Sequence, residues 1–203
     1  MFEVTRRHIM RHLARTQDKL RRWRVTSEVR IEEDGEAAHK ILDYVRSREH
    51  PLLVMGTHAV ASMERFLLGS VAEGVFRQAP CPVITVGPLA QTESDLDVGF
   101  EKLLFATDFN DTSIAAVPLI QTLQEPCKAG LRVLHVTSKD FSRNEEEDNQ
   151  FDPVRVALGG TEKREFVTLH GDDISQAVVN EAERYPADLL IRVFGEPRPG
   201  RHI

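Results

Sequence analysis

Cysteine is scarce in this chain, long apolar runs are missing, and positive charge is in the minority. Each shortage closes off a class of function. Two cysteines occur in 203 residues, Cys81 and Cys127, far apart and in no Cys-x-x-Cys. That argues for reduced thiols in a cytosolic protein rather than a disulfide framework or a zinc site. No apolar run reaches the roughly 18–20 residues that span a bilayer. Arg6, Arg7 and Arg11 lead into no apolar segment of the kind a signal peptide needs. Lysine and arginine number 26 against 32 aspartates and glutamates, a formal net charge of −6, so the chain as a whole is not built to hold nucleic acid. The first thirty residues reverse that balance, running from Arg6 to Arg30 with only Glu3, Asp18 and Glu28 opposing. Trp23 alone interleaves for base stacking, so the basic stretch reads as a solvated helix face, neither a nucleic-acid nor a membrane patch. What is present is ample: 41% hydrophobic residues are enough for a packed core, in one large domain or two small ones.

Periodicity supplies the elements. Val4, Ile9, Leu13 and Leu20 share a helical face, which predicts a helix over 5–22. Val25 to Ile31 alternates apolar and polar like a half-buried strand. Asp34 sits where an N-cap belongs, followed by a helix whose stripe is Ala37, Ala38, Ile41, Leu42 and Val45 and which Pro51 ends. Leu52 to Met55 is a continuous apolar run, expected of a parallel strand covered on both faces. A helix is predicted over 70–78, and Pro80 and Pro82 bracket its exit into a strand over 83–86. Residues 87–99 read as a linker. The pattern then restarts with strands over 102–107 and 131–136 around a helix over 113–123. The acidic run 144–150 reads as a mobile loop. A strand over 163–169, a helix over 174–185 and a strand over 189–193 complete it. Alternating strands and helices imply parallel βαβ units in a doubly wound sheet.

The pattern also repeats. Asp34 to Met55 resembles Gly171 to Arg192 at an offset of 137 residues, with Ile41-Leu42 on Val178-Val179 and Leu52-Leu53-Val54 on Leu189-Leu190-Ile191. Two copies of one domain follow: residues 1–88 as the back of the first, 89–99 as a linker, and 100–203 as the front of the second. The counterparts that would complete each copy fall before residue 1 and past residue 203. The expectation is a fragment truncated at both ends, with a rearrangement of complementing halves as the alternative.

The most informative passage is Leu52-Leu53-Val54-Met55-Gly56-Thr57-His58-Ala59, continuing to Leu67-Leu68-Gly69-Ser70-Val71. A strand ending in glycine lets the backbone turn and a ligand approach. Gly69-Ser70 then opens a helix, whose free N–H groups and partial positive charge suit phosphate. In a parallel sheet such loops sit at the carboxyl ends of the strands, where ligands bind.

This passage resembles the universal stress protein family, whose pattern is Gly-x2-Gly-x9-Gly-Ser/Thr after the fourth strand. Ala79-Pro80-Cys81-Pro82-Val83 is similar to its fifth strand. Ala106-Thr107-Asp108-Phe109 and Leu134-His135-Val136 are similar to its first two. The resemblance implies a Rossmann-like, adenine nucleotide alpha-hydrolase-like fold in two incomplete repeats of tandem type. It further implies a cytoplasmic stress-response protein that binds or senses ATP, with no metal beyond nucleotide-bound magnesium, and that is not a dedicated enzyme. Asp108 would hold adenosine and Val136 lie against the base, while Met55, Gly56, Gly69, Ser70 and Val71 would form the ribose and phosphate side. These residues divide between the copies, so neither copy holds a complete site. Ala59 replaces the family's middle glycine, and its methyl group would crowd a phosphate. The apolar edge 83–86 implies pairing, as a homodimer or between the two repeats. An interaction module of the same fold with a degenerate site is the competing class.

Other residues carry blander expectations. His8 and His12 have zinc spacing but read as solvent-facing. His58 either touches a phosphate or packs the loop. Asp172, Asp173 and Asp111 read as helix caps, and the acidic run 145–148 as solvated. Ser113 lies in no nucleophile motif. An ATP pyrophosphatase would need a Ser-Gly-Gly loop where Asp108-Phe109-Asn110-Asp111 stands.

Overall fold

The computed structural model describes residues 2–32, 35–56, 69–87, 90, 99–138, 149–159 and 164–193. The chain divides into two compact units, Met1–Gln91 and Thr92–Ile203. Each has its own parallel sheet, of two and four strands respectively. Most of the expected linker and the acidic run 145–148 lie outside the described residues.

The first unit opens with α1, Phe2–Arg22, three residues longer at its start than the periodicity indicates. Neither glycine nor proline interrupts it, and Lys19, Arg21 and Arg22 in its last turn suit the negative end of the helix dipole. Val25 to Ile31 does not form the expected strand. Alternation makes a strand possible, but a ladder of hydrogen bonds to a neighbour makes it stable, and no strand flanks this segment among the described residues of the unit. Side chains hold it instead. Gln17 Nε2 donates to the Ser27 carbonyl at 3.4 Å, Arg30 lies 5.4 Å from the Tyr44 ring centre, and Glu28 meets Arg48 at 3.9 Å.

Asp34, the expected cap of α2 (Ala37–Arg46), lies outside the described residues. The capping position belongs to Glu36, whose extended backbone offers no side-chain cap. The helix stops at Arg46, well before Pro51. Strand β1 is Leu53–Gly56. Helix α3, Ser70–Gln78, and strand β2, Val83–Val86, fall where the prolines and the Gly69-Ser70 start place them. Strands β1 and β2 pair in parallel, Val54 opposite Ile84 and Gly56 opposite Val86. Leu53 and Met55 pack on Ala38, Leu42 and Val75. Val54 on the other face is 57% exposed, so among the described residues β1 is covered on one face and not on two as its apolar run suggests.

The second unit contains β3 (Lys102–Ala106), α4 (Asp111–Ala115), α5 (Val117–Cys127), β4 (Gly130–Thr137), α6 (Asp152–Leu158), β5 (Arg164–His170), α7 (Ile174–Arg184) and β6 (Leu189–Arg192). Its strand order is β5-β4-β3-β6, all parallel. Alternate residues feed two cores, as strand geometry requires. Leu103, Phe105, Leu131 and Val133 meet Val117, Ile120, Val154 and Leu158 on one face. Leu104, Ala106, Leu134 and Val136 meet Val178 of α7 on the other. Helices on both faces make this a doubly wound sheet.

The single helix expected over 113–123 is two, broken at Ala116. Pro118 lacks an N–H and its ring cannot follow a preceding helical turn, so it begins a helix better than it continues one. Helix α6 has no periodic signal long enough to read; Pro153 in its first turn is its one local mark. The repeat is visible in three dimensions. Adding 137 to Ala37, the first residue of α2, gives Ile174, the first of α7. Strand β1 shifted likewise falls one residue beyond β6.

Candidate functional site

The carboxyl ends of the second unit's strands carry the best-ordered polar cluster. Strand β3 runs into Thr107, which is 7% exposed and whose N–H extends the ladder to the Leu134 carbonyl at 2.9 Å. Its Oγ1 accepts from the Phe109 N–H at 3.0 Å. His135 Nδ1 lies 2.9 Å from the Thr107 carbonyl, so Nδ1 is the donor of that bond.

Asp108 follows. Its Oδ1 accepts from the Asn110 N–H at 3.2 Å and from Ser113 Oγ at 2.8 Å, and its Oδ2 accepts from Asn110 Nδ2 at 2.8 Å. Asn110 Oδ1 in turn caps α4 through the Ser113 N–H at 2.7 Å. Both Asp108 oxygens therefore hold the loop, although the residue is exposed. Ser113 is 1% exposed, too deep to act as a nucleophile.

Phe109 adopts φ of 61°, a left-handed conformation that costs a side-chain-bearing residue roughly 1–2 kcal/mol. Packing retains it: its ring centre lies 4.5 Å from that of His135 and 5.1 Å from that of Phe151. Neither the strain nor the histidine contact has a sequence signal. Val136 is 9% exposed and belongs to the core beneath α7.

The phosphate-side residues lie in the first unit. Gly56 ends β1 where a Cβ would meet none of the described residues within 4 Å, and its φ is not in the left-handed region. Neither backbone nor neighbours demand glycine, which leaves the strand end free for a close approach. Gly69 is the extended N-cap of α3, with no side chain capping the helix. The first bond back to it comes from the Glu73 N–H, at 2.9 Å, so the N–H groups of Ser70, Val71 and Ala72 have no partner within the helix. Ser70 is exposed at the first helical position, and Val71 is 39% exposed. Met55 offers only its backbone, because its side chain packs into the small core. Thr57, His58 and Ala59 lie outside the described residues. Asp108 and Val136 on one side, and the glycine-loop residues on the other, thus sit in different units.

Among the described residues, no group of three histidine, cysteine, aspartate or glutamate side chains is placed to hold a metal. His8 and His12 are exposed on α1, and both cysteines are free thiols. Asp173 caps α7, accepting from the Gln176 N–H at 2.9 Å.

A charged cluster that sequence reasoning misses spans three elements. Arg132 donates to Glu165 at 2.8 Å and to the buried Glu181, and its guanidinium lies 4.0 Å from the Tyr185 ring centre. Partial burial opposes the arginine's charge, but the two carboxylates outweigh it and hold its pKa above the usual range. Burial, then the charge of Glu165, pushes the Tyr185 hydroxyl above its ordinary value of 10.0. These partners are dispersed along the chain, so no local motif announces them. They fasten α7 to β4 and β5.

Residues 2–87 match the sequence pattern of the Universal stress protein family. Over 53 residues the chain is 43% identical to Universal stress protein MJ0531 of Methanocaldococcus jannaschii, covering 26% of this chain and 31% of that protein. Over another match of 53 residues it is 34% identical to Universal stress protein YxiE of Bacillus subtilis, covering 26% and 36%. The chain thus spans about a third of the length of these curated relatives. Its fold is similar to the crystal structure of a universal stress protein from Archaeoglobus fulgidus, with TM-score 0.71 and 19% identity over 94% of this chain and 68% of that one. A putative universal stress protein from Pseudomonas aeruginosa gives 0.60 and 17% over 89% and 66%. Residues 2–87 thus carry the sequence pattern of the Universal stress protein family, and the chain as a whole shares its fold with the solved structures of that name.

Proposed function

We propose that the chain is an adenine-nucleotide-binding, sensing member of this family, acting in the cytoplasm in a stress response and not as a dedicated enzyme. The observation that carries this reading is the N-terminus of α3 at Gly69-Ser70, with no side-chain cap among the described residues, and the end of β1 at Gly56, where a Cβ would meet none of them within 4 Å. N–H groups without a partner inside the helix, together with the helix dipole, favour a phosphate there, and the Ser70 hydroxyl adds a donor. Glu73 in the first turn opposes an anion, but Arg77 pairs with it at 2.9 Å. ATP, with its own magnesium, is the proposed ligand, and pairing with a second copy along β2 belongs to the same proposal. Titration of labelled ATP against the chain and a Gly69→Asp variant tests it. Saturable binding weakened at least about tenfold, or 1.4 kcal/mol, is expected in the variant. Absence of saturable binding by the unmutated chain would refute the reading.

The occupied carboxylate of Asp108 favours a second reading, an interaction module of the same fold with no nucleotide. Asp108→Ala separates the two. If Asp108 holds adenosine, ATP affinity falls. If it only braces the loop, stability falls and affinity stays.

A further inference from the structure

The Asp108 loop is shaped by a residue far from it in the chain. Phe109 holds φ of 61°, and a residue with a side chain keeps that conformation only where its surroundings oppose the strain. Two rings grip it. The His135 ring centre lies 4.5 Å away with 32° between the planes, and that ring is itself oriented by the Nδ1 bond to the Thr107 carbonyl. Phe151 meets Phe109 edge-on, at 5.1 Å and 87°, a favoured arrangement of aromatic pairs.

Phe151 is the firmly held partner, although α4, α5 and β4 separate it from Phe109 in the chain. It is 2% exposed and stands at the N-cap of α6. Its ring also meets Phe166 of β5, at 5.3 Å and 67°. Val154 and Leu158 anchor the same helix in the core, and Gln121 Nε2 of α5 donates to the Leu158 carbonyl at 2.7 Å. A ring so fixed limits where Phe109 can go. Asp108 is the next residue back, and its Oδ1 accepts two bonds and its Oδ2 one, from Asn110 and Ser113. A carboxylate has about four acceptor positions, so Oδ2 has room for one donor more, at an angle set by the other three bonds. Rotation of the Phe109 backbone out of the left-handed region would swing Asn110 and Ser113 away and lose that angle.

We propose that Phe151 is a positioning residue for the candidate site: acting through Phe109, it holds the Asp108 carboxylate where an N–H or O–H group of a ligand meets it. The ligand side of this assignment rests on the nucleotide reading above; the shaping of the loop does not. A ligand on Asp108 and the docking of α6 then favour one another.

Amide exchange of the full chain, without nucleotide, tests the loop. The Ser113 amide, bonded to Asn110 Oδ1, is read against the Val133 amide in the buried strand β4. Phe151→Leu keeps an apolar side chain in the core and removes the ring edge. It should speed exchange at Ser113 relative to Val133 about tenfold, the order of the strain left unopposed. Glycine takes a left-handed turn without strain, so in a Phe109→Gly background the same substitution should leave the ratio unmoved. A ratio that Phe151→Leu does not shift overturns the proposal. So does an equal shift in the Phe109→Gly background, which would make Phe151 a general core residue. Titration of labelled ATP reads the ligand side, and affinity should fall in Phe151→Leu. Unchanged affinity beside a shifted ratio overturns that side alone. A chain that binds no ATP refutes the nucleotide reading, and the exchange ratio still decides the loop.

Discussion

The Asp108 loop shows how much of a site can be spent on its own shape. Two turns of polar contact, Asp108 to Asn110 and Ser113, then Asn110 back to the Ser113 N–H, convert the end of β3 into the start of α4. Ser113→Ala deletes one of these bonds in a buried place, and its cost is that of a typical intramolecular hydrogen bond, about 1 kcal/mol. Urea unfolding should show that loss with an unchanged slope. Asp108 was legible as a residue at a strand end. Its local engagement was not, because hydrogen-bond direction is set by the left-handed turn at Phe109, which packing against His135 and Phe151 sustains. Tyr185 supplies a second test at this scale. Its folded pKa is raised, so its contribution to stability is fully present below pH 10 and is lost as the pH climbs through the folded value. Tyr185→Phe should remove that part of the alkaline decline and leave neutral pH behaviour alone. An alkaline limb identical in the variant would contradict the assignment.

Elements were legible where chain chemistry alone decides them. Gly69 and the prolines at 80 and 82 set the bounds of α3 and β2 to the residue, since glycine and proline act on the backbone directly. Asp173 capping α7 is likewise local, and Asp173→Ala should destabilise the second unit by about 1 kcal/mol, read as a lower urea midpoint. Elements that depend on a neighbour were not legible. Val25 to Ile31 has the alternation of β5, and its counterpart in the repeat is a strand only because β4 lies beside it. The run Leu52-Leu53-Val54 reads as buried on both faces for the same reason: apolar content is a property of the segment, whereas burial belongs to what covers it.

At the scale of the whole molecule, the two units differ in how much they bury. The second unit encloses Leu103, Leu104, Phe105, Ile120, Leu131 and Leu134 between two helical layers. The first encloses Ala38, Leu42 and Val75 under one layer. Local opening free energy follows buried apolar contact, so amide exchange should be faster in Leu53–Gly56 than in Lys102–Ala106. Equal protection of the two strands in dilute solution would contradict the assignment of the stronger core to the second unit.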